Sequence, residues 1–527
     1  MPVPPRLTGP FRTDARARAA YAEGAGIYRI VPAAVAVPAS VADLQRLVRW
    51  AAATGTALVP RGAGSAMGGG NVGDGVLVDL TELAPARLKV YAAARRAVAT
   101  AGVTAQALDG AAREHGLRFP PLPSSQRWAT LGGMAATNAA GASAVRSGSV
   151  RPWIQALEWV GADGELRRWR RGEAPAGRWA ALAERIRSAE PAIRAHFPRV
   201  RKNSSGYAVD AVLDSGDLLD LLIGSEGTLG FVTALDCRLE PVPAASAGLR
   251  ISLRTLDDLA DVVTALLPLR PAALELLDRT FLALVEHPTP AEAVLLVEFE
   301  RATEAAARGA VGDAVRAVSA WTSEVDTAVT PEESAELWEL RHAASPILAR
   351  LPDTHRSMQV IEDGAVPLAR LADYIRLVRG VTAMHDLGAV IFGHAGDANV
   401  HVNLLVDTTR PRWEQAVEAV LREVSEGVAR LGGTLSGEHG DGRLRAPALE
   451  AVFGAELVAL FRDIKATFDP AGLLNPGVKL AAAGSAAAIG RLKVGRAAAA
   501  IPPDIAAALR DIERSGGYAR PRLELAQ

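Results

Sequence analysis

Histidine is scarce in this chain, nine residues among 527, yet two of them stand in His394-Ala-Gly-Asp397-Ala-Asn399-Val-His401-Val-Asn403 and a third in Ser436-Gly437-Glu438-His439-Gly440. Imidazole nitrogens and a carboxylate are the usual donors to a divalent transition metal. Alternate side chains of an extended segment share a face, so His401 and Asn403 lie on one side of a strand whose glycine-rich entrance carries His394. Glu438, from the second segment, completes a His/His/Glu set that leaves coordination positions open to a substrate. His439, beside that carboxylate, is placed to act as a general base. Taken singly, each of these residues is as readily a polar group satisfying hydrogen bonds in a core. The coincident spacing favours ligands. Asp397 and Asn399 have the side chains that shape turns.

Three glycine-rich segments precede this cluster. Pro60-Arg61-Gly62-Ala-Gly64-Ser65-Ala-Met-Gly68-Gly69-Gly70-Asn71 has the freedom to expose successive backbone N–H groups to an anion. It fails the dinucleotide fingerprint, since Met67 stands at the third glycine position, and it lacks the lysine of a P-loop. Pro123-Ser124 to Thr130-Leu-Gly132-Gly133-Met-Ala-Ala-Thr137-Asn138-Ala-Ala-Gly141 adds hydroxyls, with Gly132 and Gly133 opening a helix toward a phosphate. Two such loops in one domain point to a dinucleotide lying between them. Glu226-Gly227-Thr228-Leu-Gly230 is the third cluster, with Lys202-Asn-Ser-Ser-Gly206-Tyr207 upstream.

The elements that must position these groups follow from periodicity. Ser40-Val-Ala-Asp43 caps a helix with Val41, Leu44, Leu47 and Val48 on one face. Strands are predicted at Ala57–Pro60, Gly75–Asp79 and Ala97–Ala101, and a helix at Ala105–His115. Pro241-Val-Pro243 marks a composition shift, after which strands (Gly248–Leu253, Ala293–Phe299) alternate with helices (Asp257–Leu267, Thr303–Ala317, Glu332–Arg350). The division expected is an extension over 1–32, a nucleotide-binding domain over 33–243 and an α+β substrate domain over 244–430. A segment over 431–480 returns to the first domain, and an Ala/Gly-rich tail with one short helix, a peripheral appendage or linker, covers 481–527. A length of 527 residues exceeds one hydrophobic core. With 58 Lys+Arg against 59 Asp+Glu, the chain lacks the basic excess of a nucleic-acid binder. The Arg167–Arg171 cluster after the Asp163-Gly164 turn is read as a solvated strand end. The single Cys237 excludes a disulfide framework or an iron–sulfur cluster built within one chain. No apolar run reaches the ~18 residues of a membrane span. The expected location is cytoplasmic, with at most peripheral attachment to the inner face of the membrane.

The order of the glycine loops resembles the FAD-binding domain of the vanillyl-alcohol oxidase-type flavoproteins. The His394–His401 and Gly437-Glu-His-Gly440 motifs, with Asp469-Pro-Ala-Gly-Leu-Leu-Asn475-Pro-Gly477, resemble its branch of D-lactate dehydrogenases, glycolate oxidase flavin subunits and D-2-hydroxyglutarate dehydrogenases. The resemblance spans about residues 33–480. It implies an α+β fold, a two-part FAD-binding domain with a ferredoxin-like cap. Pro60 to Asn71 would embrace the FAD pyrophosphate, Pro123 to Gly141 the second phosphate side and the isoalloxazine, and Glu226 to Gly230 the adenosine side. The first loop has no His, so FAD should be held non-covalently.

The same resemblance makes His394, His401 and Glu438 ligands of a divalent metal (Zn, Mn or Fe). It makes Arg341 the clamp on a substrate carboxylate, Ser345 a hydroxyl near the substrate, and Asn403 a substrate- or ligand-supporting residue. D-2-hydroxyglutarate enzymes place a Lys near Met358–Asp363; here none occurs, and only Arg356 is close. The implied reaction is oxidation of a D-2-hydroxy acid to its 2-oxo acid, His439 taking the hydroxyl proton. Electrons would pass to a quinone, a cytochrome, an electron-transfer flavoprotein or a separate iron–sulfur subunit. Rival readings are a metal-dependent hydrolase of a phosphorylated substrate and a flavin-carrying subunit inactive alone; an alkylglycerone-phosphate-synthase-like activity fits Gly437–Gly440 less well. A homodimer is allowed.

Overall fold

The computed structural model describes residues 2–287, 289–481 and 489–527, with the side chains of residues 331 and 344–346 outside the description. Three sheets organise it. The first is small and mainly parallel: Ala34–Ala36 and Leu58–Arg61 flank Val76–Asp79, with Phe11–Arg12 antiparallel at the edge. Helix Val41–Thr54 makes the crossover; Ser40 caps it by accepting from Asp43, and Gly55 ends it in the left-handed conformation. Its Leu44, Leu47, Val48 and Ala51 are buried against the strands. The helix predicted from Ser40 and the strands predicted around Leu58 and Val76 lie within a residue or two of these bounds.

The second sheet is antiparallel, in the order Leu88–Tyr91, Arg96–Thr100, Phe231–Arg238, Ile154–Val160, Leu166–Arg170. Gly164, at φ 74°, turns the last hairpin, and Arg167 to Arg170 lie along its half-exposed edge. Helix Leu449–Phe468 packs Phe453, Leu457, Phe461 and Ile464 into the core of this region.

The third sheet belongs to the second half. Ala245–Leu253, Leu259–Leu266, Ala273–Asp278, Ala293–Arg301, Glu304–Val318 and Val325–Ala328 run β-α-β-β-α-β, with the fourth strand beside the first and the third between first and second. That is the ferredoxin-like order. The sheet continues across Ala273–Asp278 into Gly388–His394, Asn399–Asp407 and His355–Met358.

One predicted helix differs. Glu332–Arg350 is two helices, Pro331–His342 and Ala344–Ala349. Pro346 has no N–H to give the His342 carbonyl, so the ladder cannot run through. The short helix expected in the tail is Pro503–Ser515, which buries Ile505, Leu509 and Ile512 against Tyr21, Val35 and Leu77.

Candidate active site

The continuation of the large sheet carries the histidines. His394 ends one strand and His401 sits in the next, with Phe392 paired to His401 and His394 to Asn399. Glu438 and His439 lie in the loop after helix Trp413–Arg430. His394 Nε2 stands 3.0 Å from Glu438 Oε1 and 3.2 Å from His401 Nε2. His401 Nε2 is 3.2 Å from the same Glu438 oxygen. All three side chains are buried.

The far sides of the rings fix the tautomers. His401 Nδ1 can only donate to the Glu362 carbonyl, at 2.9 Å, and His394 Nδ1 faces the Glu275 carboxylate at 2.5 Å. Two bare Nε2 lone pairs and a carboxylate oxygen then converge on one point. Ligands held ~2.0–2.1 Å from one cation stand roughly 2.9–3.4 Å apart, the spacing seen here. The outer partners are those that orient metal-bound imidazoles. The residues therefore fit a divalent cation. The acceptors around this point favour positive charge, which without a cation is a proton on His394. Burial disfavours charge on His394, but Glu275 and Glu438 outweigh burial and the opposing Lys202, holding its pKa up at about 9. Lys202 Nζ reaches Glu438 Oε2 at 2.7 Å.

His439 stacks on His401, ring centroids 5.1 Å apart. Its Nδ1 donates to the Glu362 carboxylate, and its Nε2 lies 3.9 Å from Glu438 Oε1. Burial lowers the His439 pKa, but Glu362 and Asp363 override that and lift it to about 10. Burial lifts Glu362, but His439 and Arg445 bring it down to about 2. The buried Asp363 accepts the N–H groups of Glu438 (3.0 Å) and His439 (2.7 Å) and the Ser436 hydroxyl (2.6 Å), locking the loop that carries both.

Arg341, on helix Pro331–His342, donates Nε to Glu275 at 2.8 Å and lies 4.6 Å over the Phe392 ring. Asn403 accepts from Gln359 (2.9 Å) and Ser357 (3.0 Å). Arg356 does not line the cavity; Asp353 and Glu513 hold it. The Ser345 side chain lies outside the described residues. Asn399 does more than shape a turn: its amide donates to the Asp363 and Gly364 carbonyls and its oxygen accepts from Lys202.

One cavity of about 510 Å³ joins this cluster to the glycine loops. His394, His401, Glu438, His439, Arg341 and Asn403 line one end. Pro60, Arg61, Gly62, Gly64, Ser65 and Asn71 line it with Pro123, Ser124, Thr130, Gly132, Gly133, Thr137, Gly141, Glu226, Gly227 and Gly230. The loops touch each other: a Cβ on Gly62 would stand 2.4 Å from the Thr130 hydroxyl, and Thr130 caps helix Leu131–Thr137. Among the described residues no acceptor takes the N–H groups of Ala63, Gly64, Ser65 or Ala66. Such a row of unpaired donors fits a pyrophosphate. Beneath it, among the described residues, the buried Arg61 guanidinium donates only to the carbonyls of Tyr21, Glu23 and Asn71 and to no carboxylate.

Five expected cofactor residues do not line the cavity. Gly68 lies against Asp441 and Arg445, and Gly69 against Tyr28. Asn138 ends helix Leu131–Thr137, and Thr228 bonds Tyr207. Asn475 donates to the carbonyls of Gly70 and Glu226, tying the first loop to the third. The Glu226 carboxylate accepts the Asp441 and Gly442 N–H groups. Sequence reasoning missed Glu275, Glu362, Asp363, Lys202 and Arg445. A signal existed for Glu275, a buried acid inside the apolar strand Ala-Leu-Glu-Leu-Leu-Asp.

Two family profiles match the chain: FAD binding domain over residues 32–170 and FAD linked oxidases, C-terminal domain, over 242–478. The chain is similar to glycolate oxidase subunit GlcD from Bacillus subtilis, 31% identical over 85% of this chain and 89% of that one. It is 32% identical to D-2-hydroxyglutarate dehydrogenase from Xanthomonas citri pv. viticola, over 85% and 89% of the two chains. It is also 32% identical to D-lactate dehydrogenase from Archaeoglobus fulgidus, over 84% and 90%. Among solved structures, p-cresol methylhydroxylase with bound substrate superposes with TM-score 0.67 at 15% identity, covering 90% of this chain and 95% of that one. The isoeugenol complex of 4-ethylphenol oxidase from Gulosibacter chungangensis gives 0.65 at 17%, covering 89% and 94%. These two likenesses establish the fold.

Proposed function

Because the chain belongs to the FAD-linked oxidases, we propose that it oxidises a D-2-hydroxy acid to the 2-oxo acid with the assistance of a divalent metal. One observation carries the reading: a three-acceptor point formed by His394, His401 and Glu438 opens into the same cavity as the glycine loops and Arg341.

In this reading the first two loops, Pro60 to Asn71 and Pro123 to Gly141, hold FAD non-covalently. His394, His401 and Glu438 hold Zn, Mn or Fe. When bound, the flavin supplies the acceptor for the hydride from Cα, and the cation lowers the pKa of the substrate hydroxyl. The remaining work belongs to the chain. Arg341 offers its guanidinium fork to the carboxylate. His439 takes the hydroxyl proton at Nε2, while Glu362 keeps its Nδ1 protonated and the ring oriented. Asn403 turns its amide nitrogen to the substrate end. Phe392 and Trp338, which also line that end, exclude water.

Residues 33–243 form the FAD-binding domain in this scheme and 244–430 the substrate domain, with 431–480 returning to the first. Electrons pass to a non-NAD acceptor, a quinone, a cytochrome, an electron-transfer flavoprotein or a separate iron–sulfur subunit. The relative named as a subunit supports a multi-chain setting. Among the described residues no helix is long and apolar enough to cross a membrane. No described cation lines the substrate end besides Arg341 and the histidines, which favours a monocarboxylate over a dicarboxylate.

The test is an anaerobic screen of D-lactate, glycolate, D-2-hydroxyglutarate and D-malate. A monocarboxylate is expected to bleach the yellow protein. Absence of bleaching by all four would reject the assignment.

A further inference from the structure

Glu275 is fully buried in strand Ala273–Asp278, with an aliphatic cross-strand neighbour, Leu296. Each of its oxygens has one partner. Oε1 faces His394 Nδ1 at 2.5 Å, and Oε2 accepts from Arg341 Nε at 2.8 Å. The first contact follows from register: Leu276 pairs with Gly393, so the preceding residue reaches the following one, His394. The second comes from a different element, helix Pro331–His342. We propose that Glu275 is a positioning residue coupling cation binding at His394 to recognition of the substrate carboxylate by Arg341. This inference rests on the metal reading given above.

A carboxylate can hold both partners because it has two acceptor oxygens and no proton. By accepting from Nδ1 it leaves His394 Nε2 bare and aimed at the three-acceptor point. By engaging only Nε of Arg341, beside the Phe392 ring, it leaves both terminal nitrogens without a partner among the described residues. Those are the nitrogens of a bidentate fork. A lateral shift of Glu275 would therefore misplace the metal ligand and the substrate clamp together. Stability alone is a weak reason for such a pair, because an apolar side chain of equal volume is often as good.

The experiment uses the full-length, FAD-loaded protein stripped of metal with a chelator. Zn²⁺ and Mn²⁺ are titrated into wild type, Glu275→Gln, Glu275→Asp and Arg341→Ala. KM is then measured at saturating cation with the hydroxy acid that bleaches the flavin fastest. Glu275→Gln should bind cation roughly 10–100-fold more weakly and raise KM as well, with FAD content retained. Arg341→Ala should raise KM and leave cation affinity at the wild-type value. In the double variant the two KM effects should be less than additive. Should Glu275→Gln not fold, Glu275→Asp, too short to reach both partners, carries the same readouts in the same direction. Wild-type cation affinity in the folded Glu275 variant, or additive KM effects, overturns the coupling. A wild-type protein that binds neither cation overturns the metal reading itself, and the coupling with it.

Discussion

His439 has the most to say at the level of single residues, because its proton chemistry is set by one neighbour. Glu362 holds Nδ1 and, with Asp363, raises the pKa to about 10 against the lowering effect of burial. A proton acceptor works only when neutral, so flavin reduction should rise with pH along a limb belonging to His439. Positive charge at the neighbouring three-acceptor point moves that limb downward, and Glu362 moves it upward. Glu362→Gln removes the upward push; the limb should shift to lower pH in anaerobic stopped-flow reduction. An unmoved limb would dissociate His439 from the proton transfer. His439→Ala should slow reduction by ~10²–10⁴ while FAD stays bound. His401→Ala takes away one of three ligands, and elemental analysis should find the metal lost. An unchanged metal content removes His401 from the set. The candidate set His394, His401 and Glu438 was legible because histidine is rare here and two of the three residues stand in one short segment. Glu275 and Glu362 were not, because Glu275 meets His394 by cross-strand register over 119 positions and Glu362 meets His439 where two loops 77 positions apart come together. No local pattern records such a pairing.

Local signals decided the elements that have them. Ser40 and Gly55 bracket the first crossover helix, and Thr303 caps Glu304–Val318. The order of strands in the large sheet has no such marker; it follows from which apolar faces pair, and only the fold displays it. Pro346 explains the broken helix after His342, a rule that periodicity alone overlooked. Helix Leu449–Phe468 contains a second break. Gly454 sits at φ 74°, ψ 162° within it, a region essentially reserved for glycine. A Cβ there would meet nothing within 4 Å, so the cost of Gly454→Ala is purely conformational. The variant should lose about 1–3 kcal/mol of stability, read by denaturant melts, with FAD affinity little changed. A neutral substitution would mean that the kink relaxes into a continuous helix.

Across the whole molecule, the tail shows what local spacing can and cannot record. Pro502-Pro503-Asp504 with Ile505, Leu509 and Ile512 marked its short helix, but nothing local says which surface that helix covers. Ile505, Leu509, Ile512 and Leu525 are buried against the small parallel sheet that ends in the first glycine loop. The same segment touches the second loop, with Tyr518 5.9 Å from Trp128 and Gly516 packed on that indole. It also reaches the edge of the large sheet: Arg510 and Arg514 pair with Asp353, and Glu513 with Arg356 beside the Ser357 that supports Asn403. A segment bound behind three elements that carry cavity residues restrains their separation. Both family profiles end before it begins, so this restraint lies outside the matched core. Removing residues 489–527 takes away four buried apolar side chains, each worth about 1.5–3 kcal/mol when buried, and uncovers Tyr21, Val35 and Leu77. The glycine loops lose their backing at the same time. The truncated protein should melt earlier and release FAD, seen as recovery of free-flavin fluorescence after dilution. Ile512→Ala, costing about 2–5 kcal/mol, should shift both measurements the same way by less. If truncation lowers the melting temperature and FAD affinity stays at the full-length value, the tail stabilises the small sheet without restraining the cavity.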